Sequence, residues 1–190
     1  MKYILDFDGV IFNVQALKKK MAELGIAEVS RSKKTFDEIE QKDPSFDIRT
    51  LVFRDALLFL EKHRTDCVIV SSYVSASQHG DEVTDTQREY QETKIVLSGV
   101  ADIIGAAQVH VVGKSKTEML QELQVAFAAQ ADECVFIDDW KERIEEAEDL
   151  GISSFWMNRQ SGGHYTEAPG ESRSFTEIGN FEDLKLKMPI

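Results

Sequence analysis

Apolar residues cluster along this chain in two different rhythms. Five runs are short, continuous and β-prone: Lys2 to Phe7, Asp66 to Ser72 (DCVIVSS), Val109 to Val112, Cys134 to Asp139 (CVFIDD) and Ser153 to Met157. Continuous rather than alternating apolar character predicts strands buried on both faces. Between these runs the spacing becomes helical. Val14, Leu17, Met21 and Leu24 share one face of a helix over 14–26. Arg49 to Lys62, the polar-rich Asp85 to Leu97, and Lys141 to Leu150 read as further helices, the last ended by Gly151. Thr35 with Glu38 and Ser115 with Glu118 have the spacing of capping boxes, the second opening a helix to about Gln130. Pro44 interrupts the helical pattern. The stretch Arg159 to Ser174, rich in Gly, Ser and Glu, reads as a mobile loop, and FEDLKLKM as a closing helix.

Strands alternating with helices predict a parallel sheet covered on both faces. Such sheets bind ligands beyond the carboxyl ends of their strands, where the strand order reverses. Polar residues recur at those ends: Asp6 and Asp8, Ser71 and Ser72, Asp138 and Asp139.

Composition narrows the partners. The chain has 190 residues, enough for one domain with a real core, and 29% of them are charged. A formal net charge of −12 argues against a nucleic-acid partner. No apolar run has the length of a membrane span, so the expectation is a cytoplasmic protein with no membrane partner. Cys67 and Cys134 lie in apolar runs and read as buried free thiols. His63, His79, His110 and His164 share no metal-ligand spacing, which leaves no zinc set.

Asp6, Asp8, Asp138 and Asp139 bring up to four carboxylates to one rim. Like charges so close oppose one another's ionisation unless a cation neutralises them. All-oxygen ligands suit a hard divalent cation, and Mg²⁺ fits a few carboxylates plus waters plus a phosphate. Gly9 permits a sharp backbone turn that can aim N–H groups at an anion.

The segment DFDGV resembles the first motif of the haloacid dehalogenase superfamily of phosphotransferases. Ser71 after VIV resembles the second motif, a lysine in GKSKTEML the third, and VFIDD the fourth, in the family's order across residues 1 to 157. The resemblance implies a Rossmann-like, doubly wound α/β sheet of about five strands. Residues 1–12 and 48–190 would form the core and 13–47 a small helical cap. It also implies roles. Asp6 would be the nucleophile carrying an aspartyl-phosphate, and Asp8 the acid and base for the leaving group and water. Ser71 would bond a phosphoryl oxygen, and Lys116, with Lys114 as the alternative, would offset charge on the transferring group. Mg²⁺ would be held by the Asp6 carboxylate, the Asp8 backbone carbonyl and Asp138, with Asp139 behind them. Dehalogenases of the family do not keep an aspartate at the second position, since a halide needs no proton to leave; Asp8 therefore points to phosphate.

The expected activity is thus a Mg²⁺-dependent phosphatase for a small phosphorylated metabolite. A phosphotransferase or sugar-phosphate mutase, and a non-catalytic phospholigand-binding module, are the alternatives. In residues 13–34, Lys18, Lys19, Lys20, Arg31, Lys33 and Lys34 outnumber Glu23 and Glu28. They read as a solvated helix face, with attraction of an anionic substrate as the alternative. Trp140, following the paired aspartates, reads as packing. The substrate's identity and the oligomeric state are open at this level.

Overall fold

The computed structural model describes residues 1–27, 32–73, 81–113, 116–126, 133–159 and 175–188, with residues 81–85, 116 and 124–126 described in backbone only. Six parallel strands form one sheet: β1 (Lys2–Leu5), β2 (Cys67–Ser72), β3 (Val109–Val112), β4 (Cys134–Asp138), β5 (Ser153–Met157) and β6 (Glu177–Ile178). Their order is β3-β2-β1-β4-β5-β6, the doubly wound arrangement. The helices are α1 (Val14–Glu23), α2 (Lys34–Lys42), α3 (Arg54–His63), α4 (Asp81–Leu97), α5 (Val100–Ile104), α6 (Lys116–Ala126), α7 (Lys141–Asp149) and α8 (Phe181–Lys187). Among the described residues no helix is long and apolar enough to cross a membrane.

Both faces of the sheet are covered, and this explains the continuous apolar strands. Leu5, Ile69, Val135 and Ile137 pack in one apolar cluster with side chains of α1 to α5 and α8. Ile4, Val68, Val70 and Phe136 point the other way, into a second cluster with Leu120 and Leu123 of α6 and Ile144 and Ala147 of α7. Val14, Leu17 and Met21 of α1 and Phe36 and Ile39 of α2 belong to the first cluster, so the 13–47 insert shares the apolar packing of the sheet. Phe36 stacks on Tyr90 of α4, with ring centroids 5.0 Å apart.

Several sequence expectations need adjustment. The sheet has a sixth strand, a two-residue edge that the spacing of apolar runs was too coarse to mark. The Thr35 capping box does not form: α2 begins after Lys33 without a side-chain cap, and Thr35 Oγ1 instead accepts from the Ser32 N–H. The helix expected over 49–62 is split into a 3₁₀ turn, Ile48–Leu51, and α3. A capping box does occur at Asn180, which opens α8. Ser115, Lys114, His79, His164, residues 127–130 and the 160–174 loop lie outside the described residues. Cys67 and Cys134 are buried free thiols, as their context predicts. Burial pushes the Cys67 thiol up to about 12, with the neighbouring Asp66 charge adding to the effect.

Candidate active site

The reversal of strand order falls between β1 and β4. Leu5 pairs with Ile137 across that junction, so Asp6 and Asp138, one residue further on each strand, arrive side by side. The Asp6 N–H donates to the Ile137 carbonyl at 2.9 Å, which extends the ladder by one step and fixes where the Asp6 side chain starts. Asp6, Asp138 and Asp139 are all buried, and each offers a carboxylate oxygen within 4.8 Å of the other two. The Trp140 N–H donates to Asp138 Oδ1 at 2.9 Å, and the Trp156 indole N–H donates to the Asp139 carbonyl at 3.0 Å. Both bonds hold the paired aspartates from behind. Three convergent, buried, oxygen-only ligands fit a hard divalent cation such as Mg²⁺, because burial without neutralisation would cost several kcal/mol per charge, of order ~5.

Past Asp6 the chain folds back on itself. Ile11 and Phe12 both donate their N–H groups to the Phe7 carbonyl, at 3.0 and 2.9 Å, and the Gly9 N–H donates to Phe12 O at 2.9 Å. Gly9 thus spends its own N–H on closing the loop. Its glycine identity has two other causes. The backbone takes φ +80°, in the left-handed region. A Cβ there would lie 2.0 Å from Asp139 Oδ2. The loop is strapped from outside by Phe53 N–H to Ile11 O at 2.9 Å and by Arg159 Nε to Val10 O at 3.0 Å. Arg159 also makes a bidentate pair with Asp55 of α3, at 3.0 and 2.9 Å, and Asp55 accepts the Phe181 N–H at 2.9 Å. One buried ion pair thus ties α3, the end of β5, α8 and the aspartate loop together.

Asp8 is two residues from Asp6 but its carboxylate is not part of the triad. Lys94 of α4 donates to both Asp8 oxygens, at 2.7 and 2.6 Å. Gln91, one turn earlier, donates to Asp8 Oδ2 at 3.0 Å and to Ser71 Oγ at 2.6 Å. Ser71 is buried at the tip of β2, whereas Ser72 points to solvent. The structure therefore gathers Asp6, Asp8, Ser71, Asp138 and Asp139 at one rim. Lys116 opens α6; its side chain lies outside what is described. Trp140 is 40% exposed, so its side chain is covered only in part. Of the insert's lysines, Lys20 is committed to Asp43 at 2.6 Å, and that bond, seconded by Ser45, lowers the Asp43 carboxyl to about 2.

Gln91 and Lys94 were not singled out in the sequence. A readable signal was there. Positions 90, 91, 94, 95 and 98 recur at helical spacing, and Tyr90 and Ile95 occupy two of them. Gln91, Lys94 and Ser98 then sit on an otherwise apolar stripe, and all three are buried. Buried polar side chains must find partners, so such positions point inward to a network.

No protein-family model matches the sequence, and no curated protein matches it either. Solved structures do. A haloacid dehalogenase-like hydrolase from Burkholderia xenovorans superposes with a TM-score of 0.64 at 15% identity, covering 96% of this chain and 93% of that one. The chain has the haloacid dehalogenase-like fold. A hydrolase of that superfamily from Geobacter sulfurreducens, subfamily IA, shares the fold over 99% of this chain and 100% of its own length, with a TM-score of 0.52 at 13% identity. A chain described as a dehalogenase shares it at a TM-score of 0.54 and 11% identity, over 98% and 96%. Identities this low carry the haloacid dehalogenase-like architecture and nothing finer; the chemistry rests on this chain's own side chains.

Proposed function

We propose that this chain is a hydrolase of small phosphomonoesters that depends on a divalent cation, Mg²⁺ above all. The observation that carries the reading is the separation of the carboxylates into two environments two residues apart. Asp6 converges with Asp138 and Asp139, while Asp8 faces a lysine and a glutamine. That division would suit one aspartate to attack and the other to handling a proton.

An Asp6 oxygen would attack phosphorus, and the bond from phosphorus to the alcohol oxygen would break as Asp8, having taken the proton of the incoming phosphate monoanion, delivers it to that oxygen. Asp8, now a carboxylate, would take a proton from water as the water attacks the Asp6 phosphoryl group, releasing phosphate and restoring Asp6. Ser71 and Lys116 would orient and offset the transferring oxygens. A cation held by Asp6, the Asp8 carbonyl and Asp138, with Asp139 behind, would neutralise charge between the phosphate and the carboxylates. The 13–47 insert would act as the cap over this rim and choose the substrate.

The dehalogenase named among the structural neighbours makes halide displacement the competing reading, but that chemistry has no use for the proton carrier at position 8. The test is turnover of p-nitrophenyl phosphate and of chloroacetate, each with Mg²⁺ and with EDTA. Phosphate release that stops in EDTA and in Asp6→Asn, with the variant still folded by circular dichroism, is expected. Chloride release, or phosphate release undiminished in EDTA, would overturn the proposal.

A further inference from the structure

The motif pattern assigns one lysine to this site, at the start of α6. The structure puts a second lysine there, from a different helix. Lys94 is among the most deeply buried large side chains of the protein, and its side chain is 2% exposed. Its ammonium lies within hydrogen-bonding distance of both Asp8 oxygens and 5.7, 5.8 and 5.3 Å from the ring centroids of Phe7, Phe12 and Tyr90. A lysine so deeply desolvated is costly unless its charge is matched. Asp8 matches it, and the three rings add quadrupole attraction.

We infer that Lys94 is a positioning residue for Asp8. Acting with Gln91, it sets the rotamer of the Asp8 carboxylate and couples it to Ser71, so that α4 aligns the second aspartate with the strand-tip hydroxyl. What Asp8 then does rests on the phosphatase reading; the contact itself does not. Three features support the assignment. Both Asp8 oxygens are held, which fixes the plane of the carboxylate as a single bond would not. Gln91 Nε2 has two N–H groups and directs one to Asp8 and one to Ser71, so the two residues cannot drift independently. Lys94 itself is buried beside the stacked Phe7 and Phe12 rings and the Tyr90 ring, and a support must be more rigid than what it supports. The carboxylate keeps an open side, for Asp8 is 22% exposed while its lysine partner is not.

The role differs from that expected of Lys116. A lysine that offsets charge on the transferring group should matter with or without Asp8. A lysine that positions Asp8 should matter only while residue 8 is an aspartate able to carry a proton.

The experiment is a double-mutant cycle of Lys94→Met and Asp8→Asn, read in single-turnover phosphorylation by an alkyl phosphate and by p-nitrophenyl phosphate. Lys94→Met alone should lower the rate with the alkyl phosphate by about a hundredfold, as a misplacement near 1 Å does, with KM little changed. The loss should be much smaller with p-nitrophenyl phosphate, whose leaving group needs no proton. In the Asp8→Asn background the further loss should be under about threefold, the signature of coupled groups. Lys94→Arg should recover part of the activity. Equal losses with and without the Asp8 carboxylate, or a change in KM alone, would overturn the assignment.

Should Lys94→Met fail to fold alone, the double variant removes both charges together and supplies the comparison with Asp8→Asn. A second readout needs no substrate. In protein labelled with ¹⁵N-lysine, the Lys94 ammonium should give a slowly exchanging signal that vanishes in Lys94→Met and is lost or broadened in Asp8→Asn. A signal indifferent to Asp8→Asn would refute the inference. If the wild type hydrolyses no phosphomonoester, the phosphatase reading falls, and the ammonium signal alone then decides the Lys94 assignment.

Discussion

Replacing Gly9 by alanine tests the geometry of the aspartate rim without presupposing any reaction. Two penalties combine at this position. The backbone sits at φ +80°, where an L-residue with a Cβ loses roughly 1–2 kcal/mol. The new Cβ would stand 2.0 Å from Asp139 Oδ2 and 2.6 Å from its Cγ, far inside contact distance. Asp139 is buried, so the carboxylate must be driven from its place or the loop must lift, and overpacking of this kind costs about 1–3 kcal/mol. Stiffening of the unfolded chain returns about 0.4–1 kcal/mol. The net loss is about 2.5 kcal/mol, a fall in melting temperature of roughly 5–10 °C for a chain of this length.

Gly25→Ala is the matched control, since Gly25 has a similar φ, +68°, and nothing within 4 Å of its would-be Cβ. It should lose only the backbone term. Melting curves of both variants, with and without millimolar Mg²⁺, separate the contributions. Gly9→Ala should melt several degrees below Gly25→Ala and should show a smaller rise on adding the cation, because its Asp139 carboxylate is displaced. If the two variants melt together and respond alike to Mg²⁺, Asp139 does not sit against Gly9 and the rim is built differently.

Other expectations follow from single contacts. Lys116→Ala should reduce turnover by of order a hundredfold or more, the value of a positioned cation at a transferring group, whereas Lys114→Ala should change it little; steady-state rates rank the two, and the reverse order would move the motif lysine. Arg159→Met leaves Asp55 buried opposite an apolar side chain, so the urea midpoint should fall by an amount worth about 3–5 kcal/mol; adding Asp55→Asn, which still accepts the Phe181 N–H, should recover part of it. His63, packed between Tyr3 and Phe59, has its pKa lowered by burial first and by the Lys62 charge second. The unfolded chain therefore binds the proton more readily, and the stability His63 contributes is complete above about pH 6.5 and is lost as pH falls through the lowered folded value. The urea midpoint of the wild type should drop more steeply from pH 7 to 5 than that of His63→Phe.

How far the amino-acid sequence reached depended on the range of the interactions involved. The five principal strands were legible because a strand covered on both faces has little solvent side and runs apolar over most of its length; β5 was readable residue for residue. The carboxylates stood out for the converse reason: charge at the tip of such a strand is costly without a task. α1 and α7 were visible from their own periodicity and, for α7, from Gly151 beyond its end. What escaped depended on contacts between distant segments. β6 has two residues and exists through pairing with β5, so no local run could announce it. Asp55 and Arg159 are 104 positions apart and meet only because α3 and the end of β5 flank the same loop. The helical stripe through Tyr90 and Ile95 marks Gln91 and Lys94 as inward-facing but names no partner for either. Eighty-six positions separate Lys94 from Asp8, and only the packing of α4 against the sheet brought the two together. Local apolar pattern determined the strands and the aspartates at their tips. Tertiary packing decided which aspartates converge on one another and which one is held apart by a lysine, because a side chain's partner is set by where the elements dock and not by its neighbours in sequence.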